Sequence, residues 1–589
     1  MRISLTRALC ISFALAALMA FAIACGGAAP DAAPAAQVQA TATFPPTVVP
    51  PSIPTAAPAA AAPAAPAAAM ADGDVVRGGH LRVINATFPP KWDFSQTSTW
   101  ISLFHYGGRM YSGLLQFSPR DGIEIWPDMA ETWEVTNDSK TFTFHIDEDL
   151  TQWNDGTPFD VDHIIYAIDR WRNPPEGIIQ PRVGAFALID TMNKVDDNTL
   201  EINLKDSFGD FIAESANQWH SLIPQHILEA NENTINKWQD VIGTGPYKIT
   251  DAEDQVSVSS ERNPDYFRDA PDGSPYPYLD NVTSIVIIEP QAQIAAIRTK
   301  QADATKPTFS LSHVEYKNLL DDNPGQATFK VEPFVDVAAI QLNNQKPPFD
   351  NVDARRAVFY GFYKQGVIDG EGAENPVFPI SWFSYVFPDQ QEILDTIPGY
   401  KPENREAELA MAKDFAEKGG LTEFEVIAVT ARTHHGELLQ ADMQEIGVDV
   451  TIRVQDWTAM IATVEGRNYE AATGGTAPSY GGVVPVADIM YSPGGGRNGG
   501  WDPPANYMEA WNSARTLPAG QERDELFGEM HRIMKDEWVP SVPYMAANQN
   551  KFHWNYVHGW DLVVQEIFSN NKFEDVWLDC DAPNPSSSC

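Results

Sequence analysis

Phe424-Glu425-Val426-Ile427-Ala428-Val429 and Val448-Asp449-Val450-Thr451-Ile452-Arg453-Val454 are two β-branched, apolar runs with a helix-spaced stretch between them. Their spacing predicts a strand over 424–429, a helix from Glu437 to Ile446, a turn at Gly447 and a second strand over 448–454. A helix through Leu409, Met411 and Phe415 precedes them and stops at Gly419-Gly420, so one α/β unit fills 403–455. Strand–helix–strand order favours a parallel or mixed sheet with helices on both faces. Upstream, Gly78-Gly79-His80-Leu81-Arg82-Val83-Ile84 enters a strand from a glycine turn, and Thr141-Phe142-Thr143-Phe144-His145-Ile146 alternates with Phe142, Phe144 and Ile146 on one face. Asp155-Gly156 supplies a tight turn, and Asp160 suits the cap of a helix whose stripe is Val161, Ile164, Ile165, Ile168 and Trp171. Gly243-Thr244-Gly245-Pro246-Tyr247 opens a strand whose partner is Val256-Ser257-Val258-Ser259. Ile285-Val286-Ile287-Ile288, bounded by Pro290, reads as a buried central strand before a helix through Ile294, Ile297 and Arg298.

The chain has 589 residues, 43% hydrophobic and 20% charged, which allows about three or four domains around a large core. Lys plus Arg is 40 and Asp plus Glu is 80, a formal net charge of −40. Such a field repels phosphate backbones and anionic headgroups, which argues against nucleic-acid binding and basic-patch membrane association. The aromatic content, with 16 Trp, belongs to a folded chain rather than a disordered acidic one. The four cysteines are Cys10, Cys25, Cys580 and Cys589, with no CxxC pair, so zinc-ribbon, iron–sulfur and thioredoxin-type centres lack their ligands. Cys580 and Cys589 bracket a Pro/Ser-rich tail and either close a small disulfide loop or stay free.

Arg2 and Arg7 followed by an apolar run from Ala8 to Ala24 have the form of a secretory signal peptide, expected over 1–24. Ala22-Ile23-Ala24-Cys25-Gly26 resembles the bacterial lipobox, which makes Cys25 the expected lipidated residue. Several acyl chains on one residue anchor stably where one would not. Residues 25–75 are dominated by Ala and Pro, as in Ala57-Pro58-Ala59-Ala60-Ala61-Ala62-Pro63, and are expected to form an extended tether. Asp31 and Asp72 cancel Arg2 and Arg7, so the whole net charge falls on residues 73–589.

An ordered series of segments resembles the extracytoplasmic solute-binding proteins of ABC importers, family 5, the oligopeptide/dipeptide/nickel-binding family. It runs through Gly78-Gly79-His80-Leu81-Arg82-Val83, Tyr111-Ser112-Gly113-Leu114-Leu115 and Pro127-Asp128-Met129-Ala130-Glu131-Thr132-Trp133-Glu134-Val135. It continues through Trp153-Asn154-Asp155-Gly156-Thr157-Pro158-Phe159, Gly243-Thr244-Gly245-Pro246-Tyr247, Arg262-Asn263-Pro264-Asp265-Tyr266-Phe267 and Gln345-Lys346-Pro347-Pro348-Phe349-Asp350. The resemblance implies an α/β clamp of the periplasmic-binding-protein type II class, two lobes built from three domains, with mixed sheets flanked by helices. Mapped here, lobe 1 takes 76–118, 238–328 and 545–589, a smaller domain inserted into it takes 119–237, and lobe 2 takes 329–544. It also implies a monomeric, extracytoplasmic, lipid-anchored protein that hands its solute to ABC permease subunits, with no catalytic step and no cofactor. Ligand then sits in the cleft and shifts the open–closed equilibrium by its preference for the closed state.

In that family ligand chemistry comes from cleft loops, and by position the candidates here are Trp100, Trp382, Tyr385, Gly475, Tyr480 and Trp501, with Arg497 as an anion partner. Aromatic rings supply stacking at low entropic cost, although ordinary core packing is the competing role for each Trp. Peptide-binding members place an acidic residue just after the strand near Tyr469. Here Ala471-Ala472-Thr473-Gly474-Gly475-Thr476-Ala477-Pro478-Ser479 has none before Asp488. Either Asp488 substitutes by another loop path, or the cargo is of another class such as an oligosaccharide. No metal site is expected: His434 and His435 are adjacent in a helix, diverge by about 100°, and have no third ligand near in sequence. Gly494-Gly495-Gly496-Arg497-Asn498-Gly499 matches GxGxxG but runs into Gly500-Trp501-Asp502-Pro503 rather than a helix, and GxxxxGK[ST], HExxH and GxSxG are absent. Oligopeptide binding leads, with a carboxylate-pair glycosidase and a receptor that presents ligand to a signalling partner as competing classes.

Overall fold

The computed structural model describes residues 75–589 apart from 86, 98–100, 119–123, 179, 181–183, 185, 307–310, 372–376, 384–389, 478–482, 494, 496–497, 518–519 and 561–570. The expected signal peptide, Cys25 and nearly all of the tether lie outside the described residues. Among the described residues no helix is long and apolar enough to cross a membrane.

The α/β unit forms as its spacing predicts. Strands Glu423–Val429 and Asp449–Gln455 pair in parallel, Val426 opposite Ile452, around the helix Thr433–Glu445. That helix starts four residues earlier than its apolar spacing suggests, so His434 and His435 fall in its first turn. The preceding helix, Arg405–Gly419, ends on Gly420 in the left-handed conformation, φ 63°. Its buried face is Glu408, Ala412 and Ala416, with Leu409 and Phe415 partly covered and Met411 exposed, so the stripe sits one position round from the expected one.

These strands form one end of a sheet of 11 strands. From that end the order is Asp449–Gln455, Glu423–Val429, Ala471–Ala477, Ala327–Leu342, Ser541–Trp554 and Ala304–Thr305. It continues through His80–Asn85, Asn281–Val286, Ser257–Arg262 and Tyr247–Glu253, with Val377–Phe378 beside Ser541–Trp554. The expected buried run at Ile285–Ile288 is corrected. The strand ends at Val286, with Val282 and Ser284 buried, Thr283 and Ile285 half-buried and Asn281 exposed, and Ile288 beyond it is 63% exposed. A separate antiparallel sheet of four strands orders Ala130–Thr136, Thr141–Ile146, Thr199–Leu204 and Ile189–Asp196. Phe142, Phe144 and Ile146 are buried there, in one core with Val161, Ile164, Ile168 and Trp171 of the helix Val161–Arg172, which Asp160 caps.

Several of the quoted motifs meet in two hydrogen-bonded knots. Asn154 donates its backbone N–H to Gly243 O at 2.8 Å, and Asn263 Nδ2 donates to Asn154 Oδ1 at 2.8 Å and to Gly245 O at 3.2 Å. Thus Trp153-Asn154-Asp155-Gly156, Gly243-Thr244-Gly245-Pro246-Tyr247 and Arg262-Asn263-Pro264 lock together across more than a hundred residues. In the second knot Asp128 accepts from Gly113 N at 2.9 Å and pairs with buried Lys572, which also donates to Ser112 Oγ at 2.9 Å. Glu574 beside it accepts from Tyr266 OH at 2.8 Å and from Arg268 at 2.7 Å. The C-terminal tail is fixed to the first strand by His80 N–H on Asn584 O at 3.1 Å, and Cys580 and Cys589 are disulfide-bonded, with 5.4 Å between Cα atoms.

The glycines of the first knot are there for space: a β-carbon on Gly245 would lie 2.3 Å from the backbone oxygen of Arg109. Gly245→Ala is expected to destabilise the fold by roughly 1–3 kcal/mol or more, because a main-chain atom cannot step aside. Gly528→Ala, in the helix Gln521–Ile533 with nothing within 4 Å of the added carbon, is expected to leave stability unchanged or raise it by up to about 1 kcal/mol. Thermal melts of the two variants beside the parent check this pair.

Candidate functional site

Two strands dominate the middle of the large sheet. Ala327–Leu342 and Ser541–Trp554 run antiparallel, with Ala327 opposite Trp554 at one end and Gln341 opposite Ser541 at the other. Near the first end Ala304 joins His553 and leads on to His80–Asn85; near the second, Ala471–Ala477 joins Val337–Leu342. Each strand therefore belongs to both halves of the sheet. Their ladder breaks register between Pro333 and Val337 and again between Ala338 and Ala339. Such irregularities bend a strand and interrupt pairing.

Away from that crossing, the part that carries the four-stranded sheet faces the helices Ala505–Ala514 and Gln521–Ile533. Asp210, the cap residue of the short helix Phe211–Ser215, accepts from Arg523 Nη1 at 3.2 and 3.0 Å. The Arg515 guanidinium lies 4.5 Å from the Trp511 ring centre and 5.9 Å from that of Phe208 on the facing part. Gly184 sits against Asp488, close enough that a β-carbon would be 2.3 Å from Asp488 Oδ2. Beside these contacts Lys140, Asp206 and Ser207 on one side and Glu509, Asn512 and Thr516 on the other line an open cleft of about 590 Å³.

Burial pushes the Asp488 carboxyl up to about 6, against the pull of Arg515. The same burial lowers Arg515 below the usual guanidinium value, opposed by Asp488 and by Glu214 across the boundary. A carboxylate with a raised pKa is ready to take a cationic partner, because its own field is incompletely neutralised.

The sequence candidates are placed unevenly. Trp382 is fully buried, its Nε1 donating to Ser541 O at 3.0 Å and its ring 5.5 Å from Phe359. Trp501 is 1% exposed, its Nε1 donating to Leu342 O at 2.8 Å and its ring stacked on Tyr491 at 5.3 Å. Neither presents an open face: both are packed in the core, with their N–H groups used by the ends of the long strands. Gly475 lies in the strand Ala471–Ala477, opposite Ala338 at the register break. Trp100, Tyr385, Tyr480 and Arg497 lie outside the described residues. Asp210, Arg515 and Arg523 were not among the sequence candidates. Asp210 and Arg523 are 313 positions apart, and no local pattern announces such a pair.

The two histidines also differ from expectation. Helix Lys364–Glu371 brings Glu371 to them, and its Oε1 accepts from His434 Nε2 at 2.6 Å and His435 Nε2 at 2.9 Å. A third donor is thus supplied from 63 positions away, where sequence spacing showed none.

The model of bacterial extracellular solute-binding proteins, family 5 (Middle), matches residues 124–498. The chain is 24% identical over 447 residues to the oligopeptide-binding protein OppA of Bacillus subtilis, covering 70% of this chain and 78% of that protein. Its fold is similar to that of the crystal structure of Haemophilus influenzae OppA in complex with RPPGFSPFR, TM-score 0.73 at 18% identity, covering 86% of this chain and all of that one. It is also similar to AgaA from A. tumefaciens in complex with agropinic acid, TM-score 0.71 at 18% identity, covering 85% and 99% of the two chains. Its mixed α/β architecture is therefore that of the periplasmic-binding-protein type II, OppA-like structures, and the chain belongs to the bacterial extracellular solute-binding proteins, family 5.

Proposed function

We propose that this chain is the membrane-tethered solute-binding component of an ABC importer, taking oligopeptides by hinge closure and passing them unchanged to permease subunits. The observation that carries this is the pair of long strands shared by both halves of the sheet, irregular at their middle, in a family-5 chain. The domain division follows the same lines. The four-stranded sheet falls within an inserted domain over 119–237, and the two strand crossings fall near the boundaries of a lobe 2 over 329–544. Lobe 1 comprises 76–118, 238–328 and 545–589. A signal peptide over 1–24, lipidation at Cys25 and a tether over 25–75 place the body outside the cytoplasm. The Cys580–Cys589 disulfide suits such an oxidising compartment. No catalytic step is assigned, in keeping with relatives named as binding proteins.

Asp488 is the proposed acceptor for the ammonium group of a peptide. An oligosaccharide cargo is the second reading, because the strand near Tyr469 carries no carboxylate and because AgaA shows this fold around a ligand other than a peptide. Calorimetric titration with peptide and with cello- or manno-oligosaccharide panels separates the two; flat heats with every peptide remove the first.

The titration of Asp488 gives a signed expectation. Its folded pKa, about 6, lies above the ordinary carboxylate value, so its contribution to fold stability falls as pH rises from about 4 to 6. Ammonium binding needs the ionised form, so peptide affinity is expected to weaken as pH is lowered from about 7.5 to 5. Asp488→Asn is expected to bind about tenfold or more weakly at pH 7.5 and to lose that pH dependence. An affinity flat across this range in the parent would exclude Asp488 as the acceptor.

Arg523→Ala removes the ion pair with Asp210 and is expected to enlarge the radius of gyration of the ligand-free protein in X-ray scattering. Peptide affinity is expected to fall by no more than about fivefold, since partly exposed pairs contribute about 0–1 kcal/mol. Asp210→Ala with Arg523→Ala is then expected to do no more than either alone.

A further inference from the structure

Glu371, His434 and His435 hold one carboxylate oxygen and two imidazole nitrogens within 4.8 Å of one another, the one such group of three His, Cys, Asp or Glu ligands among the described residues. We propose that these three side chains form a binding site for a borderline divalent cation of the zinc, nickel or cobalt class, joining the end of helix Lys364–Glu371 to the first turn of helix Thr433–Glu445.

The carboxylate distances require little movement. Two donors about 2.0–2.1 Å from a tetrahedral zinc are about 3.3 Å apart, and the Glu371 oxygen already lies 2.6 and 2.9 Å from the two Nε2 atoms. Opening each contact by about half an ångström puts the metal where bridging protons now sit. The donor set, two imidazoles and one carboxylate, selects this class of metal over Ca²⁺ or Mg²⁺, which take oxygen cages.

The hydrogen-bonding around the histidines suits the role. His435 Nδ1 lies 2.9 Å from Tyr544 OH; a shift of the ring proton from Nε2, where it meets Glu371, to Nδ1 frees the Nε2 lone pair for the metal and makes Tyr544 OH a partner of the kind that orients metal-bound histidines. Arg432 bears on Glu371 and His435 with opposing charge, which weakens the site without removing a donor. His434 is 51% exposed against 0% for His435 and 18% for Glu371, so a cation enters past His434 and water completes its coordination.

The site is tested apart from solute binding. Zn²⁺ is titrated calorimetrically into the tag-free full chain, into His434→Ala and into Glu371→Gln, with circular dichroism to establish folding and Ca²⁺ and Mg²⁺ as controls. One Zn²⁺ per chain is expected, weakened at least tenfold in both variants, with neither control reproducing it. Zn²⁺ is also expected to raise the melting temperature of the parent but not of His434→Ala. Co²⁺ is expected to give a visible absorption band in the parent alone. Absence of Zn²⁺ binding to the parent, or isotherms indistinguishable between parent and variants, overturns the proposal, the latter outcome assigning the metal to the many surface carboxylates.

Discussion

The ladder between Ala327–Leu342 and Ser541–Trp554 is the constraint on which the rest of the structure depends. Strands on either side join the sheet only through it, and its members Val337, Ala338, Ala339, Ile340, Val542, Tyr544 and Met545 are at most 2% exposed. A close-packed ladder of this kind resists continuous deformation, so any relative movement of its two ends concentrates at the register break between Pro333 and Val337. The far end is tied down separately. Leu342 O and Ser541 O accept the indole N–H groups of Trp501 and Trp382. Two large rings thereby fix the position where one strand leaves and the other enters. Burying a Trp without a partner for its N–H would cost part of what its area contributes, and these carbonyls supply the partner.

Much of the fold was legible because its signals are local. Alternation at Thr141–Ile146, the cap at Asp160, the left-handed Gly420 and the parallel pair around Thr433–Glu445 are each decided within a turn or two of chain, and each forms. The motif series was legible for a different reason: its residues serve one another. Asn154, Gly243, Gly245 and Asn263 meet in one knot, and Ser112, Asp128, Tyr266, Lys572 and Glu574 in another.

The site was less legible because its determinants are not local. A Trp carries the same letter whether it lines a cleft or plugs a strand end, and for Trp382 and Trp501 the strand carbonyls decided it. Ile285–Ile288 looked uniformly buried because four apolar residues in a row do not reveal that the strand stops at Val286 and leaves Ile288 in solvent. The third donor for the histidines comes from another helix, and the Asp210–Arg523 pair from a separate sheet region; neither has a spacing to find.

Magnitudes decide what the boundary contacts do in the proposed clamp. A partly exposed ion pair such as Asp210–Arg523 contributes about 0–1 kcal/mol, and the half-buried Arg515 cation held over Trp511 about 1–2 kcal/mol. Moving a two-state equilibrium from mostly open to mostly closed takes about 5.5 kcal/mol, whereas a ligand of micromolar affinity supplies about 8. The protein's own contacts therefore bias and orient closure without driving it. That is the useful regime: stronger contacts would close the lobes on an empty cleft, and none at all would leave the full ordering cost to the solute. Asp488 fits the same logic. Its carboxyl is raised because burial outweighs the Arg515 guanidinium, so in the proposed clamp a cationic guest would satisfy that charge better than an empty cleft.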